Sequence, residues 1–255
     1  MAAAVCNAPI DAPVVDQAGN EEGCLVNSRI MCQSSVRDAR EALNDIAHLR
    51  RYRSGQTIIA EGTPLNFIGN LVSGIVKLTK VTPDGDQQIV GLLFPSDFVG
   101  RAFSENWVFS AEAATDVELC CLERRAFERV LKDHPSLEHE FLIAALDELD
   151  AAREWMLLLG RKSAQEKVAS FLMMLVDRNC RQGCLFGQET SMPIRLPITR
   201  ADMAGYLGMS VETVSRKLTE MRTNRLIRLV DAHHFVVLDE KRLCAAANEE
   251  PSVGF

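Results

Sequence analysis

The chain has 255 residues, 47% hydrophobic and 25% charged, with a formal net charge of −7. This length supports two modest domains with cores of their own, and the composition is that of a globular protein. It excludes a helical membrane protein, since no run of about eighteen apolar residues occurs, and it excludes nucleic-acid binding through gross positive charge.

Charge is unevenly placed. Residues 161–230 hold twelve Lys or Arg against six Asp or Glu, so a basic module sits on an acidic body. That pattern fits a protein that meets DNA with one end. The N-terminal stretch has no basic flank and no continuous apolar segment, so it is not read as a signal peptide, and the cytoplasm is the expected compartment with no membrane partner. Eight cysteines in such a compartment suggest metal or redox chemistry before disulfides.

Residues 1–34 read as a flexible arm. It carries Cys6, Glu21, Cys24 and Cys32, the last two separated by seven residues. Residues 35–135 read as a sensory domain. A short amphipathic helix is expected over 35–49, with Val36, Ala39, Leu43, Ile46 and Ala47 inward. From Tyr52 to Arg125 glycines punctuate β-rich runs at 57–60, 67–71, 75–82, 88–94 and 117–122. Pro83-Asp84-Gly85 and Pro95-Ser96-Asp97 mark turns, and the spacing predicts a compact antiparallel barrel or sandwich. Another short helix is expected over 126–135.

The longest helical signal covers residues 136–162. Leu142, Leu146, Leu149, Met156 and Gly160 follow a three-four seam in which Arg153 is the one charged member, and Trp155 with Leu157–Leu159 broadens the apolar face. A twin across a two-fold axis would cover that surface, so a homodimer is expected.

Residues 163–255 read as a DNA-binding domain. A helix is expected over 163–178, with Val168, Phe171, Leu172 and Leu175 inward and Met173-Met174 as core filler. A loop over 178–192 holds Cys180 and Cys184, whose C-x3-C spacing alone is weak support for zinc. Residues 199–222 predict two short helices broken at Gly208, started by Thr199 with Asp202 and by Ser210. In the second, Val211, Val214, Leu218 and Met221 form an apolar stripe. Glu212, Ser215 and Arg216 point elsewhere as neighbours on one surface. An acceptor, a hydroxyl and a guanidinium suit base edges in a major groove: Arg grips guanine bidentately and Glu accepts from cytosine N4. Thr213, Lys217 and Arg200 complete the expected DNA-contacting set, Lys217 towards phosphate. A hairpin around Asp231–His234 then reads as the wing, with His233 and His234 as exposed turn residues.

This order of parts resembles the cyclic-AMP receptor/FNR superfamily of bacterial transcription regulators, and is most similar to the alphaproteobacterial FnrL-like members of its FNR branch. The resemblance covers about residues 24–243 and rests on GLLFPSDFVGR (91–101), DVELCCLERRAFE (116–128), LDELDAAREWMLLLGRK (146–162) and LGMSVETVSRKL (207–218). It implies an α+β chain: a cyclic-nucleotide-binding-like β-roll, a long dimerisation helix and a C-terminal winged helix-turn-helix. Glu212, Ser215 and Arg216 fall on the family's E-x-x-S-R signature, which implies a TTGAT-N4-ATCAA-like palindrome. RNA polymerase is an implied partner, and the implied role is that of an activator rather than an enzyme.

The resemblance also implies an oxygen-labile 4Fe-4S iron–sulfur cluster. The FnrL-like spacing C-x2-C-x7-C supplies Cys24 and Cys32, but its first position falls on Glu21. The central ligand matches Cys120, next to Cys121. Thiolates suit such a cluster as soft donors. The fourth ligand is Glu21 or Cys6, or the cluster is lost and the protein is a cluster-free, FixK-type regulator. No cyclic nucleotide is expected, because RAFSENWVFSAEA (101–113) has Arg101 without the family's Gly-Glu and Arg-Ser pattern. Haem-based nitric oxide sensing through His48 is a further alternative. A cysteine-dependent enzyme or metal-storage protein is disfavoured, since there is no nucleophile–base motif, phosphate loop or H-E-x-x-H.

Overall fold

The computed structural model describes residues 37–81, 84–85, 87–183 and 193–248. Helix α1 (Arg37–Ile46) leads into β1 (Ala47–Tyr52), β2 (Thr57–Ile59), β3 (Phe67–Ser73), β4 (Val76–Val81), β5 (Gln87–Leu93), β6 (Phe98–Val99), β7 (Ser110–Ala113) and β8 (Val117–Glu123). The strands form two four-stranded antiparallel sheets, ordered β1-β8-β3-β6 and β2-β7-β4-β5. Leu71, Val76, Leu78, Leu119, Trp107 and Cys121 help fill the β-roll between them. Gly74 joins β3 to β4 at φ +87°, where a Cβ would lie 2.1 Å from the Asp116 carbonyl oxygen, so only glycine fits.

The 35–49 helix expectation is half right. Ala39 and Leu43 are buried as predicted, but the helix stops at Ile46, and Ala47–Tyr52 pairs along β8 instead. AHLRRY has neither alternation nor β-branched residues; the open edge of β8 decides its conformation. Sheet pairing also creates β6 and β7, which composition did not signal.

Helices α2 (Arg124–Asp133), α3 (Pro135–Arg161) and α4 (Ala164–Gly183) follow. The Glu123 carboxylate caps α2 by accepting from the backbone N–H groups of Arg125 and Ala126, at 3.2 and 2.8 Å. Pro135 opens α3, where its missing N–H costs nothing. The loop expected from 178 is a helix as far as Gly183, so Cys180 lies on α4, while Cys184 falls outside the described residues.

The remaining elements are β9 (Ile194–Arg195), α5 (Arg200–Leu207), α6 (Val211–Thr223), β10 (Ile227–Leu229), β11 (His234–Val237) and α7 (Glu240–Ala247). Strands β10-β11-β9 form the wing, so the predicted hairpin gains a third strand. One apolar core runs from Ile75, Ile89, Leu92 and Phe94 of the roll through α4 to the buried faces of α5 and α6. Met173 lies in it and Met174 packs against it, as expected of core filler. A separate core under α1, α2 and the start of α3 holds Ala39, Leu43, Phe127, Leu131 and Leu137.

Candidate DNA-reading surface and sensor cysteine

Local sequence builds the reading helix. Thr199 Oγ accepts from the Asp202 backbone N–H at 3.0 Å, and the Asp202 carboxylate accepts from the Thr199 backbone N–H at 3.3 Å. This reciprocal capping box starts α5. Gly208 turns the chain at φ +62°. Ser210 then caps α6, its Oγ accepting from the Thr213 N–H at 3.2 Å.

Val214, Leu218 and Met221 are buried as the stripe predicts. Val211 is 41% exposed, a correction to that stripe: it holds the first helical position, where α6 leaves the turn. Glu212 and Arg216 are exposed and Ser215 is half-buried, so the expected triplet faces outward. Hydrogen bonds from its own backbone N–H and from Ser210 hold the Glu212 carboxyl below the usual range. It therefore presents an ionised acceptor. Thr213 places its hydroxyl 3.1 Å from that of Ser210, within the cap. Lys217 is only 20% exposed and donates to Glu220 Oε2 at 2.7 Å. Arg200 opens α5, half-buried. Beside the triplet, Ser215, Arg216, Thr219, Glu220, Thr223 and Asn224 line a groove of ≈ 420 Å³. In the wing, His233 is exposed, and His234 Nδ1 lies 2.9 Å from Asp231 Oδ2.

Helix α5 is anchored on the roll, which leaves α6 facing away. Lys77 Nζ lies 2.9 Å from Glu112 Oε1 and 3.1 Å from Asp202 Oδ1. Burial pulls the Lys77 ammonium down in pKa, but Glu112 and Asp202 outweigh it and the value is raised. Gln88 donates to the Gly205 carbonyl at 2.6 Å. Tyr206 stacks on Trp155 of α3, centroids 3.8 Å apart and planes at 14°. From α4, the Arg178 guanidinium lies 4.0 Å over the Phe94 ring and donates to Asp97 Oδ2 at 3.3 Å. Sequence reasoning missed Lys77, Gln88 and Glu220. Only Glu220 left a local signal, its spacing of four from Arg216.

The long helix has two apolar faces. Leu158 is buried, and Trp155 and Leu159 pack against the same core. Leu142, Leu146, Leu149 and Met156 lie on the other side, 54%, 51%, 46% and 64% exposed. Leu157 belongs with this outer face rather than with Leu158. Arg153, within the seam, donates to Asp150 at 2.9 Å.

Strand register separates the adjacent cysteines. Cys121 points into the roll, and burial pushes its thiol up to about 12. Cys120 faces the other way, opposite Leu49 of β1 and Asn70 of β3, within the core under α1 and α2. Cys120 is therefore the cysteine turned towards the helix that follows the N-terminal arm. A thiol on that side of the strand supplies the soft donor that one corner of an iron–sulfur site needs. Cys6, Glu21, Cys24 and Cys32 lie outside the described residues. Among the described residues no three His, Cys, Asp or Glu side chains come together as a metal site. His48 is exposed on β1.

A winged helix-turn-helix docked on a β-roll, with its second helix presented outward, is the plan of a DNA-binding transcription regulator. Residues 49–134 match the cyclic nucleotide-binding domain family, and residues 166–246 match the Crp-like helix-turn-helix domain family. The chain is 40% identical over 233 residues to the transcriptional activator protein FnrL of Cereibacter sphaeroides, covering 91% of this chain and 93% of that one. It is 36% identical over 227 residues to the nitrogen fixation regulation protein FixK of Bradyrhizobium diazoefficiens, covering 88% and 92%. The structure of FixK2 from Bradyrhizobium japonicum superposes with a TM-score of 0.71 at 28% identity, over 82% of this chain and all of that one. The chain belongs to the CRP/FNR superfamily, among its FnrL-like members. It is a DNA-binding transcriptional activator of the FNR/FixK type.

Proposed function

We propose that this activator is oxygen-responsive and reads TTGAT-N4-ATCAA-like palindromes as a homodimer. The observation that carries the reading is the outward face of α6, where Glu212, Ser215 and Arg216 lie within about one turn of each other on the side opposite the buried Val214, Leu218 and Met221. Two such faces meet successive major grooves when the exposed stripe of α3 packs on its twin. Covering Leu142, Leu146, Leu149 and Met156 stabilises the pair by on the order of 1 kcal/mol per side chain. A DNA reader works where the chromosome is, in the cytoplasm, and an activator's remaining partner is RNA polymerase. Selection of bound duplexes from a randomised pool tests the site. TTGAT-type half-sites with two-fold spacing are expected, and recovery of unrelated sequences overturns the assignment.

For sensing, Cys120, Cys24 and Cys32 would hold a 4Fe-4S cluster, with Glu21 or Cys6 as the fourth ligand. When bound, such a cluster supplies an oxygen-labile iron centre. The support is that Cys120 turns away from the roll's interior into the core beneath α1, the helix that follows Cys32 in the chain. Iron and sulfide analysis of anaerobically isolated protein tests this. Loss of both in Cys120→Ser, but not in Cys121→Ser, is expected; parent protein without iron overturns it. One observation favours a cluster-free FixK-type regulator instead: Cys120 packs among Ala39, Leu43 and Phe127 as an ordinary core side chain. A cyclic nucleotide is not the proposed ligand, because Arg101 stands without the Gly-Glu and Arg-Ser pattern in residues 101–113.

A further inference from the structure

Glu220 stands one turn beyond Arg216 on α6. Its Oε2 lies 2.7 Å from Lys217 Nζ, and its Oε1 lies 4.0 Å from Arg216 Nε. One carboxylate thus faces both cations next to the reading triplet. The other side chains of the groove leave it little competition. Thr219 donates its hydroxyl back to the Ser215 carbonyl at 2.9 Å, and Thr223 to the Thr219 carbonyl at 3.0 Å. Arg216 and Glu220 are the charged groups lining that groove.

The edge of Arg216 that faces Glu220 matters. A guanidinium has five N–H donors in a fixed plane. Nε is the guanidinium atom nearest the carboxylate, an ion pair at 4.0 Å rather than a hydrogen bond, and on that side the terminal nitrogens remain for guanine O6 and N7, the bidentate contact. An arginine with no such neighbour is free to swing to any phosphate. Lys217, paired to the same carboxylate, is likewise held back from the DNA backbone.

We infer that Glu220 is a specificity-determining residue of the reading surface, a buttress that aims Arg216 at guanine and restrains Lys217 from sequence-independent phosphate contacts. This rests on α6 being the reading helix, and does not depend on which half-site it reads.

The test uses the full-length protein and two duplexes: one enriched from a random pool by the parent protein, and a scrambled duplex of equal composition. Glu220→Ala should bind the scrambled duplex about five- to tenfold more tightly near 0.1 M salt, with a slope of log K against log salt steeper by about one, as one more phosphate is neutralised. Affinity for the enriched duplex should not rise, so the ratio between the two falls about tenfold. In Lys217→Gln/Glu220→Ala the extra slope should vanish while the ratio stays low, because Arg216 still lacks its buttress. An unchanged ratio overturns the inference. Equal gains on both duplexes overturn it too, since they mean that Glu220 acts only as a distant negative charge. An enriched sequence without TTGAT overturns the half-site reading alone, and failure to enrich any sequence overturns both.

Discussion

Asp202 serves two partners. Its carboxylate closes the capping box with Thr199 and also receives Lys77 from the roll. Burial pushes its pKa up, but the hydrogen bonds from Thr199 and Lys77 outweigh that and hold it below the usual range. A carboxyl lowered on folding adds stability above its unfolded pKa, near 4, and loses it as pH falls through the folded value. The stability gap between the parent and Asp202→Asn, read from urea melts, should therefore be flat above about pH 5 and shrink towards pH 3. Thr199→Ala should cost about 1 kcal/mol in the same melts, at neutral pH, through loss of the cap. Arg216→Ala should lose about 1–3 kcal/mol on the preferred duplex and relax discrimination at one guanine, measured against single-base variants. At this scale the sequence was most legible. The capping box, the Ser210 cap and the outward triplet are set within four residues of themselves. Lys77 and Gln88 were not legible, because their partners on α5, Asp202 and Gly205, lie more than a hundred residues away.

Among the elements, α3 shows best what periodicity can and cannot say. The three-four seam correctly marked the outer stripe, yet the neighbouring run Trp155–Leu159 divides between two faces, and only the packed core shows which residue goes where. If the stripe is the dimer seam, Leu146→Glu should shift sedimentation equilibrium to monomer and weaken palindrome binding far more than half-site binding. Unchanged mass would show that α3 is not the seam. β8 offers a parallel case. Adjacent Cys120 and Cys121 are equivalent in sequence, but alternation sends one into the roll and the other beneath α1. Short strands such as β1, β6 and β9 escaped notice for a related reason: their conformation comes from an available sheet edge, not from their own residues.

Across the whole molecule, the roll and the reader share a core. Ile89 of β5 is buried in the same cluster as the helices of the DNA-binding half. The two halves should therefore unfold together in urea. Ile89→Ala should cost about 2–5 kcal/mol and split the transition in two, as seen by comparing far-ultraviolet ellipticity with a probe on the roll. A single transition of unchanged midpoint would argue against a shared core. This junction was the least legible part of the protein, since nothing in either half announces its complement in the other.

The Trp155–Tyr206 stack makes that junction visible. The chain has two tryptophans, and the other, Trp107, is closed inside the roll. In Trp107→Phe protein every photon of indole emission comes from the joint between α3 and α5. The molecule carries its own optical gauge of whether the reader sits on its support, legible in real time as DNA, salt or air is admitted.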